Sequence, residues 1–172
     1  MTYKTIIEQI QPLDQIAMTA ARARQDDLTK PRGSLGQLES ISIRVAGITG
    51  TSTPSIKHKV VTTMAGDHGV VAEGVSAYPS EVTPQMVYNF LAGGAAINVL
   101  ASHVGARVVI VDMGVAADFG SHPDLIDKKV APGTGNIAQE AAMTRDQAIQ
   151  AIESGIAVVE GEIEKGLDIL AT

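Results

Sequence analysis

Two apolar runs limit what this chain can fold into more than any other feature. His58 to Ala65 (His-Lys-Val-Val-Thr-Thr-Met-Ala) and Arg107 to Asp112 (Arg-Val-Val-Ile-Val-Asp) are rich in β-branched residues, with nothing polar enough in the middle to keep one face wet. Runs of this kind read as strands buried on both faces, the pattern of a parallel sheet. Parallel neighbours need a crossover, and the intervening sequence supplies one. Thr83-Pro84 gives an N-cap followed by proline at the first helical position, Gln85 to Ala92 continues as helix, and Gly93-Gly94 interrupts it. Ala95 to Val104 forms a second helix that Gly105 ends. The unit is strand, helix, helix, strand, for which a right-handed parallel crossover is expected.

The opening is purely helical. Ile6, Ile7 and Ile10, then Leu13, Ile16, Ala17 and Ala20, fall at spacings of three and four, with Pro12 breaking them into two short helices. After the turn cluster Lys30-Pro31-Arg32-Gly33, Ser34 and Gln37 match a capping box for a helix that runs to about Gly47. Gly50 to Pro54 is polar and turn-rich, so we divide the chain into a helical segment, 1–52, and an α/β segment, 53–172. In the second segment, Gly114 to Asn136 is too long for an idle connection and is a candidate functional loop. Thr144 and Gln147 form a capping box for a helix with Ile149, Ile152, Ile156, Val159 and Ile163 on one face, closed by Gly166. Glu160, Glu162 and Glu164 near its end read as a solvated face. Leu167 to Thr172 reads as a third parallel strand, making a sheet of about three strands that looks unfinished.

Composition closes several function classes. The 172 residues carry 13 Lys and Arg against 19 Asp and Glu, a net charge of −6. Such a balance argues against nucleic-acid binding and against an anionic membrane surface. The absence of cysteine removes disulfides, thiolate metal sites and thiol nucleophiles, and fits a reducing, cytoplasmic setting. Met1 to Gln11 lacks an apolar signal core, and no apolar run approaches the roughly 18 residues of a spanning helix.

In open α/β sheets ligands bind beyond the carboxyl ends of the strands, which singles out Asp67-His68-Gly69 and Asp112-Met113-Gly114. A histidine beside an aspartate, with a second carboxylate on the next strand, could supply a general base or hold a metal. Against the metal stands the lack of ligand sets with recognisable spacing, and for Asp67 a hydrogen-bonded turn scaffold is the stronger alternative. Three of five aromatics, Tyr78, Tyr88 and Phe90, fall within thirteen residues beside Pro79, Val82, Gln85 and Met86. Such a set could hold a flat apolar ligand oriented by Gln85 or a hydroxyl; core packing explains it nearly as well. Gly33, Gly93-Gly94 and Pro132-Gly-Thr-Gly-Asn136 could each cradle phosphate through backbone N–H groups, or serve only as turns and close helix contacts.

Longer motifs carry a resemblance. Lys30-Pro-Arg-Gly-Ser-Leu-Gly-Gln-Leu-Glu39, Ala65-Gly-Asp-His-Gly-Val70, Glu73-Gly-Val-Ser-Ala-Tyr-Pro79, Val82-Thr83, Gly94-Ala-Ala-Ile-Asn98, Val111-Asp-Met-Gly-Val115 and Gly133-Thr-Gly-Asn-Ile-Ala138 ahead of Met143-Thr-Arg keep an order and spacing that resemble the nicotinate-nucleotide:dimethylbenzimidazole phosphoribosyltransferases. The likeness runs from about residue 12 to the end of the chain. It implies a Rossmann-like parallel sheet with a small helical N-terminal subdomain, in a cytoplasmic homodimer that uses no cofactor and no metal.

The activity implied is transfer of phosphoribose from nicotinate mononucleotide to dimethylbenzimidazole, giving α-ribazole phosphate for the lower ligand of cobalamin. By the same resemblance the benzimidazole pocket falls at Tyr78 and Met86; Pro79, Val82 and Gln85 join them on the residue reading above, with Asp67, His68 and Asp112 at the strand ends as a candidate site scaffold. Tyr78 and Met86 stand where some members have Ser and Gln, so the base would be held more by apolar contact. Members are about twice as long, and this chain ends before their Gly-Glu-x-Gly-x-x-Asn-Thr-Thr phosphate segment and their general-base glutamate. A fragment inactive alone is therefore expected; the alternative is a natural short relative that binds an aromatic base or a partner without catalysis. A hydrolase or lyase built on Asp67, His68 and Asp112 ranks last.

Overall fold

The structure, a computed structural model, describes residues 2–172. The described residues divide into two compact units, 6–56 and 57–172 with residues 2–5, where composition suggested a division at 52/53. The first unit contains α2 (Gln15–Asp27) and α3 (Gln37–Thr49), which follow α1 (Tyr3–Gln9). Asp14 caps α2 by accepting from the amides of Ile16 and Ala17 at 2.8 and 2.9 Å. Ala17 and Ala21 on α2 and Ala46 and Gly47 on α3 are buried, small residues suited to close helix packing. Helix α3 starts differently from expectation. Ser34 makes no cap; the chain turns through Gly36 at φ 56°, ψ −124°, and Gln37 opens the helix. That turn needs a glycine conformation, so backbone geometry rather than a hydroxyl sets the entry.

The second unit holds a parallel sheet in the order β3-β2-β1-β4. Strand β1 (Lys59–Gly66) pairs with β2 (Ala106–Gly114) from Lys59 opposite Ala106 to Gly66 opposite Gly114. The crossover between them contains a 3-10 turn (Gly69–Glu73), α4 (Val82–Leu91) and α5 (Ala96–His103). The expected sheet of about three strands has four. Strand β3 (Leu125–Asp127) lies inside the long loop and pairs with Ile110 to Asp112, while β4 (Ile169–Ala171) is the expected C-terminal strand on the other edge. Helix α6 (Arg145–Glu164) opens on the expected capping box, Gln147 N–H donating to Thr144 Oγ1 and Thr144 N–H to Gln147 Oε1.

The core centres on Val87 of α4, Ile110 of β2 and Val115, with Ala65, Phe90, Leu91 and Phe119 against them. Two expectations for α6 fail. Ile152 and Ile163 are exposed, and the buried positions are Val158 and Glu162. Glu162, expected on a solvated face, is 1% exposed and ion-paired through Oε2 to Arg107 and through Oε1 to Lys165 at 2.8 Å. Burial opposes its ionisation, but the hydrogen bonds and charges of Lys165 and Arg107 outweigh that and hold its carboxyl below the ordinary glutamate value.

Candidate active site

The carboxyl end of β1 is where the chain brings its candidate residues together. Two cavities open there and share Gly66, Asp67 and His68 as a common wall. The first, of about 560 Å³, lies against α4 and is lined by Val71, Tyr78, Pro79, Val82, Met86 and Phe90 among others. The second, of about 450 Å³, lies on the other side and is lined by Met113, Gly133, Thr134, Glu140, Met143 and Ala151 among others. Four of the five residues expected in a base pocket, Tyr78, Pro79, Val82 and Met86, therefore face one cavity. Gln85 is exposed and is not part of that lining. The aromatic trio divides: Tyr78 and Phe90 line the cavity, whereas Tyr88 meets Phe119 edge-on at 5.4 Å.

Asp67 and Asp112 are scaffold in their geometry. Asp67, buried, accepts the Thr83 hydroxyl at 2.7 Å on Oδ1 and the Ala116 amide at 2.8 Å on Oδ2. Asp112 Oδ1 accepts the amides of Gly114 and Val115 at 3.0 and 2.8 Å, and its Oδ2 lies 3.2 Å from Lys129 Nζ. Both carboxylates are thus engaged by the protein, which leaves neither open as a general base. Among the described residues no group of three His, Asp or Glu side chains is arranged to hold a metal ion. His68, by contrast, is exposed on the wall that the two cavities share.

Thr83 plays a different part from the one its sequence context suggests. It is not the N-cap of α4; the helix already begins at Val82, and the hydroxyl reaches Asp67 instead. This bond fixes the start of α4, which carries Val82 and Met86, to the end of β1. Thr83→Val, nearly isosteric, should leave a buried carboxylate oxygen without its donor and cost about 1–3 kcal/mol in urea denaturation, while Thr83→Ser should retain wild-type stability. Equal stability of the two variants would show that the bond contributes nothing.

The three glycine-rich phosphate cradles are corrected by their hydrogen bonds. Gly133 N–H donates to Gly114 O, Thr134 N–H to Asp67 O, and Gly135 N–H to Ala142 O. Gly93 and Gly94 N–H donate to Phe90 O and Asn89 O. The Gly33 turn is already occupied by an anion of the protein's own, because Glu39 Oε1 accepts Lys30 Nζ at 2.6 Å and Leu35 N–H at 3.2 Å. Lys30 foremost, then the Leu35 amide, holds the Glu39 carboxyl below its ordinary value. These donors close turns on the protein itself rather than facing a ligand.

In a parallel α/β sheet the crevice beyond the carboxyl ends of the strands is where ligands bind, and both cavities lie there. The sequence profile of a family described as phosphoribosyltransferase matches residues 10–172. A nicotinate-nucleotide–dimethylbenzimidazole phosphoribosyltransferase from Chloroflexus aggregans is 61% identical over 166 residues, covering 96% of this chain and 47% of that protein. One of the same name from Roseiflexus sp. strain RS-1 is 60% identical over 166 residues, with the same coverage of both chains. The crystal structure of the enzyme of that name from Thermus thermophilus superposes with a TM-score of 0.88 at 46% identity, covering 92% of this chain and 48% of its own. The chain belongs to the nicotinate-nucleotide–dimethylbenzimidazole phosphoribosyltransferase family. It spans about half the length of the curated relatives it matches.

Proposed function

We propose that this chain forms the base-binding part of an enzyme that transfers phosphoribose from nicotinate mononucleotide to dimethylbenzimidazole. The observation that carries this reading is the pair of cavities with a common wall at Gly66, Asp67 and His68. One reacting ring on each side would bring a base nitrogen and a ribose carbon together at that wall. The cavity of Tyr78, Pro79, Val82 and Met86 takes the benzimidazole, with Gln85 left for its rim. Apolar walls suit the dimethyl edge, and the Tyr78 hydroxyl, with His68 and Ser80 on the same lining, is available to orient the ring nitrogens. The second cavity takes the nicotinate end of the nucleotide, with Met113, Met143 and Ala142 around the ring.

In the reaction a benzimidazole nitrogen attacks the anomeric carbon, the bond from that carbon to the nicotinate nitrogen breaks, and nicotinate leaves with the electron pair. The attacking base must also lose its second-nitrogen proton. Asp67 and Asp112 are hydrogen-bonded in place and do not supply that base. General-base assistance is typically worth about 10²- to 10⁴-fold. Without such assistance from Asp67 or Asp112, the 172 residues are expected to bind the base with little or no transfer. A cytoplasmic homodimer is part of the same proposal; no helix among the described residues is long and apolar enough to cross a membrane.

Isothermal titration of the chain with dimethylbenzimidazole is expected to show one site per chain, weakened at least fivefold by Met86→Ala. Chromatographic assay of the same sample with nicotinate mononucleotide is expected to show little or no α-ribazole phosphate. No binding, or binding indifferent to Met86, would overturn the base-site reading.

A further inference from the structure

The second cavity has an outer clasp. Eight of the cavity's 17 lining residues come from one arc of chain, Gly133 to Thr144, and the arc is folded on itself by Asn136, whose carbonyl accepts Gln139 and Glu140 N–H at 2.9 Å and whose Oδ1 accepts Ala138 N–H at 3.0 Å. At its start the arc is stitched to the end of β1: Thr134 N–H donates to Asp67 O at 3.0 Å, and Gly69 N–H to Thr134 O at 3.1 Å. Its middle is held by a single side chain. Glu73, at the end of the 3-10 turn, accepts Asn136 Nδ2 at 2.6 Å and Gln139 Nε2 at 2.8 Å on one oxygen. Those two amides, Asn136 first, keep the Glu73 carboxyl below its ordinary value. Glu73 lines neither cavity.

We propose that Glu73 is a positioning residue for the nucleotide: it holds the Asn136–Gln139 stretch, and thereby the Glu140–Met143 wall, in the shape that receives the nicotinate end of the substrate. The assignment rests on the functional reading above for the identity of the ligand. The geometry gives it a direction. The clasp grips the outside of the arc whose inside forms the second cavity, while the base cavity on the α4 side draws no lining residue from that arc. Loss of the clasp should therefore weaken the nucleotide more than the base, whose cavity is lined by Glu73's neighbours Val71 and Val75 but by nothing from the arc. A carboxamide at position 73 still offers one carbonyl oxygen to the same two donors, so Glu73→Gln should keep much of the effect that Glu73→Ala loses.

The test uses the 172-residue chain and its Glu73→Ala and Glu73→Gln variants, titrated separately with nicotinate mononucleotide and dimethylbenzimidazole. Hydrogen exchange of each protein is followed alongside. Glu73→Ala is expected to weaken nicotinate mononucleotide about tenfold and to change dimethylbenzimidazole less than twofold. Amide exchange in the Gly135–Gln139 stretch should rise about tenfold while α6 is unchanged, with Glu73→Gln between wild type and alanine in both readouts. Unchanged exchange in that stretch would overturn the clasp itself, whatever the ligands do. Faster exchange with undiminished nucleotide binding would overturn its positioning role. Faster exchange with no binding of either ligand by the wild-type chain would instead overturn the functional reading, and the substrate assignment of Glu73 with it.

Discussion

Replacing Gly69 by alanine is expected to lower the melting temperature by roughly 6–12 °C and to abolish binding in both cavities. An added Cβ at this position would lie 2.7 Å from Gly135 C and Thr134 O and 2.8 Å from Asn136 N, all backbone atoms. Backbone cannot swing aside as a side-chain tip can. Gly47 makes the contrast: its Cβ would lie 2.7 Å from Met18 Cγ, part of a flexible side chain that can change rotamer. At Gly69 the two strand-end loops must separate, breaking the pairing of His68 with Thr134 beside the residues that line both cavities. Overpacking of this kind costs about 3 kcal/mol, which for a chain of this size gives the stated shift. A melting temperature within two degrees of wild type in calorimetry would show that these loops are not rigidly joined.

The second large effect lies at the opposite end of the sheet. Arg107→Ala is expected to cost about 3 kcal/mol, because it leaves one oxygen of the buried Glu162 carboxylate without its partner. Glu162→Leu should cost less than about 1.5 kcal/mol, since Arg107 and Lys165 are more than half exposed and water can take over their hydration. The pH dependence follows from the direction of the Glu162 shift. Its folded-state value lies below the unfolded one, so its stabilisation is fully present above the ordinary glutamate value and is lost as pH falls through the folded value. Wild type should accordingly lose stability on acidification in that range, and Glu162→Leu should lose less. Chemical denaturation at neutral and acid pH checks both statements. A larger cost for Glu162→Leu than for Arg107→Ala would reverse this account of the cluster.

What could be read in the sequence was what depends on neighbours along the chain. The runs at Val60–Met64 and Val108–Val111 pair as the parallel strands their β-branched content announces, but burial on both faces is not met on β1, where only Val60 and Thr62 are buried and Met64 is exposed. The Thr144–Gln147 box is four residues long and needs nothing from elsewhere. The Ser34–Gln37 box has the same spacing yet fails, because the Gly33–Gly36 turn delivers the chain to α3 through a glycine conformation and its backbone embraces Glu39 instead. Features that depend on distant partners stayed hidden. Strand β3 is three residues that become a strand only beside Ile110–Asp112. Glu162 reads as solvated until Arg107, 55 positions away, is beside it.

The candidate site divides along the same line. The strand-end rule locates Asp67, His68 and Asp112, and the local cluster around Tyr78 and Met86 marks a cavity wall. The second cavity had a weak signal in Gly133–Asn136, read there as a phosphate cradle or a plain turn; its amides close the turn, and part of its wall comes from Glu140 to Ala142, which carry no motif of their own. The Asp67–Thr83 bond and the Glu73 clasp join residues 16 and more than 60 positions apart, and no local pattern announces them.

The central claim is that an aromatic base lies between β1 and α4 with its reacting edge at His68. The most direct measurement is a crystal structure of this chain grown with dimethylbenzimidazole. The ring is expected between Val82, Met86 and Tyr78, with a ring nitrogen turned toward the wall formed by Gly66, Asp67 and His68. A ring seated among Met113, Ala142 and Met143, or the α4 cavity closed by its own side chains while the ligand binds elsewhere, would contradict it.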